Sequence, residues 1–155
     1  MSTAPIALVG SGEYLPVMTE IERSLIAGRP PRYVQLATAA APEGDESLAR
    51  WHRLGREQAE RLGVEQVVVD VRTREDAESR RWVEAIEGAG LIYLSGGNPA
   101  YLADTLRQTA VWHAIVAAHE NGAALAGCSA GAMAISSWAP RMRNLVGGKH
   151  PTGLG

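Results

Sequence analysis

One short segment of the 155-residue chain, residues 126–133 with the sequence AGCSAGAM, has residue types suited to nucleophilic chemistry. Residues 127–131 fit the pattern Gly-x-Ser-x-Gly, in which a sharp strand-to-helix turn holds a serine in a strained conformation with its hydroxyl exposed. Ser129 occupies the serine position, and the flanking glycines are explained if a Cβ there would collide across the turn. As a bare pattern this signal is weak. A simpler interpretation stays open, in which the glycines only allow a close turn and Ser129 caps the next helix.

The residue next to this serine is also a potential nucleophile. Cys128 falls on the buried side of the predicted turn, where we expect it to pack as a small hydrophobic side chain. Ser129 is therefore the candidate nucleophile, which needs a base for its proton and backbone donors for the oxyanion formed on a substrate. The N–H of Ala130, at the start of the predicted helix, is one candidate donor. The N–H of Gly97 is the second, although Gly96 and Gly97 could equally form a plain turn.

A second glycine-rich turn, GSGE at residues 10–13, invites a dinucleotide-binding interpretation. That interpretation fails because Leu15 stands where Gly-x-Gly-x-x-Gly needs its third glycine. In addition, no acidic residue follows the second predicted strand at the usual spacing of about 20 residues. Glu13 remains of interest because the end of the first strand should lie close to the serine turn. The simpler interpretation of Glu13 is a solvated loop glutamate.

These turns need a scaffold that brings them together, and the rest of the chain predicts one. Short apolar runs alternate with segments of helical spacing along the chain. Such alternation favours a parallel sheet covered by helices on both faces, with ligands bound beyond the carboxyl ends of the strands. No linker interrupts the pattern, so residues 1–155 are expected to form a single domain. The predicted strands are 6–9, 33–39, 64–71, 91–98 and 123–127, and the predicted helices are 17–27, 47–62, 76–90, 99–107 and 111–121.

Composition excludes several classes of function. The chain is 46% hydrophobic and 21% charged, as in a folded globular protein, and its formal net charge of -2 includes no long basic run. A nucleic-acid partner is therefore not expected. The single cysteine cannot form an internal disulfide, and no Cys/His cluster has zinc-site spacing. The short apolar start predicts neither a signal peptide nor a membrane span. We expect a cytoplasmic protein that needs no metal and no cofactor.

Four segments together resemble the dipeptidase E and cyanophycinase family of serine peptidases, in the class I glutamine amidotransferase-like superfamily. They are LVGSGEYLP, the segment 36–63 that begins LATAAAPEGD, LSGGNPAYLADTL and GCSAGAM. The resemblance implies a flavodoxin-like three-layer sandwich with a mainly parallel sheet. It implies Ser129 as nucleophile, Gly97 and Ala130 as oxyanion donors, and a histidine base supported by an acid. It also implies cleavage of peptide bonds next to aspartate.

For such a hydrolase we expect a small aspartyl peptide as substrate and acylation of Ser129. We expect Gly96, Asn98 and Glu13 to lie near the bound substrate. The histidines before the serine fall in predicted helices and are not expected to act as the base; they are His52, expected to be solvated, His113 and His119.

The sequence departs from the family pattern after the serine. In the family the base lies well downstream, after a Gly-Leu-Gly-like segment, whereas this sequence ends at such a segment. His150 is the only histidine after Ser129, in a setting typical of a surface loop. Residues 136–155 contain no aspartate or glutamate, and Asn144 lies near where the supporting acid is expected. We therefore expect a domain that is truncated at its C-terminal end.

Truncation of this kind has two consequences. An unpaired sheet edge with apolar surface would favour association, for example as a homo-oligomer. The alternative to the hydrolase is a non-catalytic relative that binds a small acidic ligand or a partner protein. Loss of turnover on replacing Ser129 discriminates between the two.

Overall fold

The computed structural model describes residues 4–137, 139 and 153–155. In this part of the chain five strands form one sheet, and every neighbouring pair runs parallel. The strands are β1 (Ile6–Val9), β2 (Arg32–Leu36), β3 (Glu65–Val68), β4 (Leu91–Leu94) and β5 (Ala124–Cys128). Their order across the sheet is β1-β5-β4-β2-β3, so the strand that precedes Ser129 lies between β1 and β4. The predicted parallel α/β architecture is confirmed.

Helices cover both faces of the sheet and complete a flavodoxin-like three-layer sandwich. Strands β4 and β5 are buried along their whole length because helices pack on each side of them, which explains their continuous apolar sequence. The helices are α1 (Thr19–Ile26), α2 (Asp45–Leu62), α3 (Arg80–Ile86), α4 (Pro99–Leu106), α5 (Ala110–Glu120) and α6 (Ala130–Ile135). One face packs with α1 and α2 around Tyr33 and Tyr93, and the other packs with α3 to α6 around Ile92 and Leu94.

The strand register aligns the carboxyl ends of β1, β5 and β4. Val9 pairs with Cys128, and Leu94 pairs with Gly127, so each of these strands ends at the same edge of the sheet. The loops that follow them are the three unusual turns of the sequence. The fold therefore places the GSGE turn, the serine turn and the glycine turn after β4 side by side.

Two element boundaries differ clearly from the sequence-based prediction. β2 ends at Leu36, because the chain turns into a 3-10 helix at Thr38–Glu43. The predicted helix 76–90 is interrupted at Ser79, whose backbone is extended (φ -72°, ψ 124°). Asp76 was a natural candidate for the cap of this helix from its position at the start of the segment, but its carboxylate instead accepts hydrogen bonds from the N–H groups of residues 72 and 73, which precede it.

β1 is an edge strand of the described sheet and exposes apolar side chains. Ile6 is 52% exposed and Leu8 is 61% exposed. An edge strand with exposed apolar side chains favours pairing with another polypeptide. Self-association of this chain stays a prediction.

Candidate active site

Ser129 occupies the turn between β5 and α6 in an unusual backbone conformation. Its φ of 51° and ψ of -111° lie outside the regions that side-chain-bearing residues adopt without strain. Although it directly precedes the helix, its side chain makes no capping hydrogen bond. The interpretation of Ser129 as a helix cap is therefore wrong. Its hydroxyl has no hydrogen-bond partner among the described residues, and the side chain is only half-buried.

The two glycines around Ser129 are required by the space they occupy. A Cβ at Gly131 would stand 2.1 Å from the carbonyl oxygen of Leu94, and one at Gly127 would stand 2.6 Å from the carbonyl carbon of Gly131. Both distances are far inside van der Waals contact with backbone atoms. The predicted reason for both glycines is confirmed. Helix α6 thus packs directly on the end of β4, while the Ser129 N–H donates to the Val9 carbonyl at 2.8 Å.

The glycine turn after β4 lies next to the serine turn. Gly97 has φ 144°, and a Cβ there would stand 2.4 Å from the Ala39 carbonyl oxygen, so both the backbone angle and the available space require glycine. A Cβ at Gly96 would stand 3.5 Å from the Cβ of Ser129, which places this turn beside the candidate nucleophile. Within the described residues, neither the Gly97 N–H nor the Ala130 N–H donates a hydrogen bond. Among the described residues, both N–H groups are therefore free to donate, and their role as oxyanion donors stays a prediction.

Asn98 fixes the junction between this turn and α4. Its side-chain Oδ1 accepts a hydrogen bond from the Tyr101 N–H at 3.0 Å, which makes it the N-cap of the helix. Its own N–H donates to the Ala39 carbonyl at 2.8 Å. Asn98 thereby holds the adjacent Gly97 in place. Its contact with a substrate stays a prediction.

Glu13 reaches from the loop after β1 to both neighbouring turns. Its Oε1 accepts a hydrogen bond from the Gly96 N–H at 3.1 Å, and its Oε2 accepts one from the Cys128 thiol at 2.8 Å. The interpretation of Glu13 as a solvated loop residue is therefore wrong. Cys128 is buried as predicted, but it is hydrogen bonded and does not pack only as a hydrophobic group. Burial, with a further contribution from Glu13, raises the pKa of the Cys128 thiol to about 12, so it stays protonated at neutral pH.

Two further polar residues near the site were not identified from the sequence. The Tyr14 hydroxyl and the Ser95 hydroxyl lie 2.5 Å apart, below the sheet edge. Tyr14 is fully buried, its ring centroid lies 5.0 Å from that of Tyr93, and burial raises its pKa well above the ordinary value. The available signal was adjacency in sequence, since Tyr14 follows Glu13 and Ser95 precedes Gly96.

The histidines of α5 lie away from the serine turn. The Nδ1 of His119 is 2.9 Å from the carbonyl oxygen of Ala123, just before β5, whereas Ser129 follows that strand. At about 3.3 Å per residue, the strand separates the two by roughly 20 Å. His113 is exposed on the surface of α5.

His52 on α2 differs from the expectation of a solvated side chain. It is half-buried, its Nε2 has no partner among the described residues, and burial lowers its pKa. His150 and Asn144, the sequence-based candidates after the serine, lie outside the described residues. The described part of the chain therefore brings together a candidate nucleophile and oxyanion donors without a hydrogen-bonded base.

No group of three or more His, Cys, Asp or Glu side chains in the described residues could hold a metal ion. Among the described helices, none combines the length and apolar character needed to cross a membrane. A cavity of about 620 Å³ lies at the amino ends of β2, β4 and β5, where Arg29, Glu87 and Asn121 contribute to its lining. It shares no lining residue with the serine turn.

Comparisons with known proteins identify the family. The sequence model of peptidase family S51 matches residues 7–144. A peptidase from an acI-B1 Actinobacterium superposes with a TM-score of 0.91 and is 46% identical, over 97% of this chain and 63% of that one. This chain thus spans less than two thirds of that peptidase.

A second solved structure shares the fold with a TM-score of 0.66. It is a candidate peptidase E from Listeria monocytogenes EGD-e, which is 22% identical over 99% of this chain and 75% of its own. No curated protein matches the sequence. The extent of the family match and the 46% identity show that the chain belongs to peptidase family S51.

Proposed function

We propose that this chain carries the nucleophile and the oxyanion donors of a serine peptidase that cleaves peptide bonds next to aspartate. The observation that carries the proposal is the strained backbone of Ser129, next to which the N–H groups of Gly97 and Ala130 have no hydrogen-bond acceptor among the described residues. Strain of this kind persists only where the surrounding structure enforces it, and it is concentrated at functional sites. Membership of family S51 supports a peptidase, and the preference for aspartate rests on the resemblance of the sequence motifs.

The proposed reaction passes through an ester on the serine. The Oγ of Ser129 attacks the carbonyl carbon of the scissile bond, and the N–H groups of Gly97 and Ala130 hold the oxyanion that forms. The carbon–nitrogen bond then breaks, and the amine leaves with a proton. Water hydrolyses the ester, which releases the acyl product and restores the hydroxyl. The proposal assigns the proton acceptor to a histidine outside the described residues, and it places Asn98 and Gly96 near the substrate.

Turnover of defined dipeptides tests this proposal. We expect hydrolysis of Asp-Leu and much slower hydrolysis of the uncharged analogue Asn-Leu. The variant Ser129→Ala should lose at least about a thousandfold in kcat, since it lacks the attacking oxygen. Ser79→Ala is the matched control, because Ser79 also precedes a helix without a capping bond. Equal turnover by the parent and Ser129→Ala would exclude Ser129 as nucleophile.

A non-catalytic binding protein is the second candidate. It is favoured by one observation, that the Ser129 hydroxyl has no base as partner within the described residues. Such a protein would bind Asp-Leu in calorimetry without turnover, and Ser129→Ala would bind it equally well. Turnover by the parent that is lost in Ser129→Ala excludes this candidate.

A further inference from the structure

Two consecutive residues after β1 hold two consecutive residues after β4. Glu13 accepts a hydrogen bond from the Gly96 N–H at 3.1 Å, and the hydroxyls of Tyr14 and Ser95 lie 2.5 Å apart. The two strands are not neighbours, because β5 lies between them. The loop after β1 therefore reaches across the end of β5 and is joined to the turn that contains Gly97.

The same loop is joined to the serine turn. The second carboxylate oxygen of Glu13 accepts a hydrogen bond from the thiol of Cys128 at 2.8 Å. One carboxylate thus contacts the residue before Gly97 and the residue before Ser129. Because the raised pKa of Cys128 keeps its thiol protonated, this donor persists across the neutral pH range.

Tyr14 anchors the loop in the core. Its φ of 61° is unusual for a residue with a side chain, and it lets the loop send Glu13 to the sheet edge while the Tyr14 ring is fully buried. The ring packs on Trp51 with centroids 6.1 Å apart, and the Arg61 guanidinium donates to the Tyr14 carbonyl at 2.8 Å. A loop fixed at ring, hydroxyl and carbonyl is a rigid support for the Glu13 carboxylate.

We propose that Glu13 is a positioning residue, which uses its two oxygens to fix the Gly97 N–H relative to Ser129, with Tyr14 as its anchor. This inference rests on the proposed function and changes the role of Glu13 from substrate contact to support of the oxyanion donors. Both carboxylate oxygens already accept hydrogen bonds from the protein. The Glu13 carboxylate therefore affects the reaction indirectly, by holding the glycine turn that contains the Gly97 N–H.

The kinetic test compares Glu13→Ala with Glu13→Gln on Asp-Leu. Misplacing a catalytic donor by about 1 Å costs on the order of a hundredfold in rate. We therefore expect Glu13→Ala to lower kcat about 10- to 100-fold with KM changed less than about threefold. Glu13→Gln keeps an acceptor for the Gly96 N–H and loses only the acceptor for the weaker Cys128 thiol donor, so it should retain kcat within about fivefold of the parent. Glu20→Ala is the control, since the Glu20 side chain is 83% exposed on α1.

A rise in KM at unchanged kcat would show that Glu13 contacts the substrate, and this result overturns the proposal. Unchanged kcat in Glu13→Ala overturns it as well. The conservative Glu13→Gln variant keeps the shape of the side chain, so it remains informative if Glu13→Ala fails to fold. In that case, Glu13→Gln with kcat near that of the parent and with the Gly96 amide still protected from exchange supports positioning by hydrogen bonding.

An NMR readout separates this proposal from the proposed function. In the parent the Gly96 amide should exchange slowly with solvent, and Glu13→Ala should shift the amide resonances of both Gly97 and Ala130. Those shifts support positioning even if the parent hydrolyses no aspartyl peptide, which would refute only the proposed function. Unmoved Gly97 and Ala130 resonances in folded Glu13→Ala overturn the positioning role, whatever the activity of the parent.

Discussion

Replacing Ser129 by glycine and by alanine should give proteins of different stability, although neither retains the hydroxyl. At φ 51° and ψ -111°, a residue with a Cβ carries strain of about 1–3 kcal/mol, which glycine does not. Glycine loses more conformational freedom on folding than alanine, which costs about 0.5–1 kcal/mol. No capping hydrogen bond is lost in either variant. We therefore expect Ser129→Gly to be more stable than Ser129→Ala by about 0.5–2 kcal/mol.

Ser79 provides the matched pair of control variants. It too directly precedes a helix and makes no capping bond, but its φ of -72° and ψ of 124° are ordinary. The free energy of unfolding of all four variants is measured by urea denaturation, with equal m-values as the condition for comparison. The glycine-minus-alanine difference should be larger at Ser129 than at Ser79 by at least about 1 kcal/mol. Differences that agree within about 0.5 kcal/mol would refute the strain at Ser129.

Three further predictions concern the packing and ionisation around the serine turn. Gly131→Ala should lower the free energy of unfolding by about 3 kcal/mol or more, because its Cβ would stand 2.1 Å from a backbone oxygen. Gly10→Ala, with no atom within 4 Å, is the control, and similar small losses in both would contradict the packing. The Cys128 thiol should resist iodoacetamide at pH 8 in the folded protein and react in urea, so fast labelling of the native state would contradict its raised pKa. Because that folded pKa of about 12 lies above the ordinary value of 9.0, the stability due to the neutral thiol is complete below pH 9 and is lost as the pH rises towards 12. Between pH 9 and 12, the free energy of unfolding of the parent should therefore fall by up to about 1.4 kcal/mol per pH unit more than that of Cys128→Ala. Parallel curves of unfolding free energy against pH for the two proteins would contradict the raised pKa of the thiol.

The parallel sheet could be predicted because short apolar runs alternate with helical segments along the chain, and this alternation favours strands that are buried between two layers of helices. The need for glycine on both sides of Ser129 could also be predicted, because a tight strand-to-helix turn leaves no room for a Cβ; at Gly131 a Cβ would overlap the end of β4. The order of the strands across the sheet, however, cannot be inferred from the spacing of residues within each segment. Glu13 was misjudged for this reason, because its partners Gly96 and Cys128 are near it only in the order β1-β5-β4.

Residues whose role depends on distant partners were the hardest to predict. Tyr14 looks like a loop tyrosine in the sequence, yet it is fully buried and bonded to Ser95. The interruption of the predicted helix at Ser79 was not predictable either, because the apolar spacing of the segment is helical although the backbone of Ser79 is extended. A candidate base was not predictable from the residues before Ser129, because His119 of α5 lies next to Ala123 at the amino end of β5, whereas Ser129 follows the carboxyl end of that strand.

The pairing of β1 with β5 also has a consequence for the newly synthesised chain. The first strand of the sheet pairs with the last strand before the serine, and the Val9 carbonyl accepts the Ser129 N–H. Contacts between such distant segments carry a loop-closure cost that must be met before they stabilise the fold. We therefore expect Ser129 to leave the ribosome in a glycine-rich segment that does not yet carry this backbone strain. The strained geometry arises only when the sheet has assembled around it, so a misfolded or incomplete nascent chain should carry an inert serine.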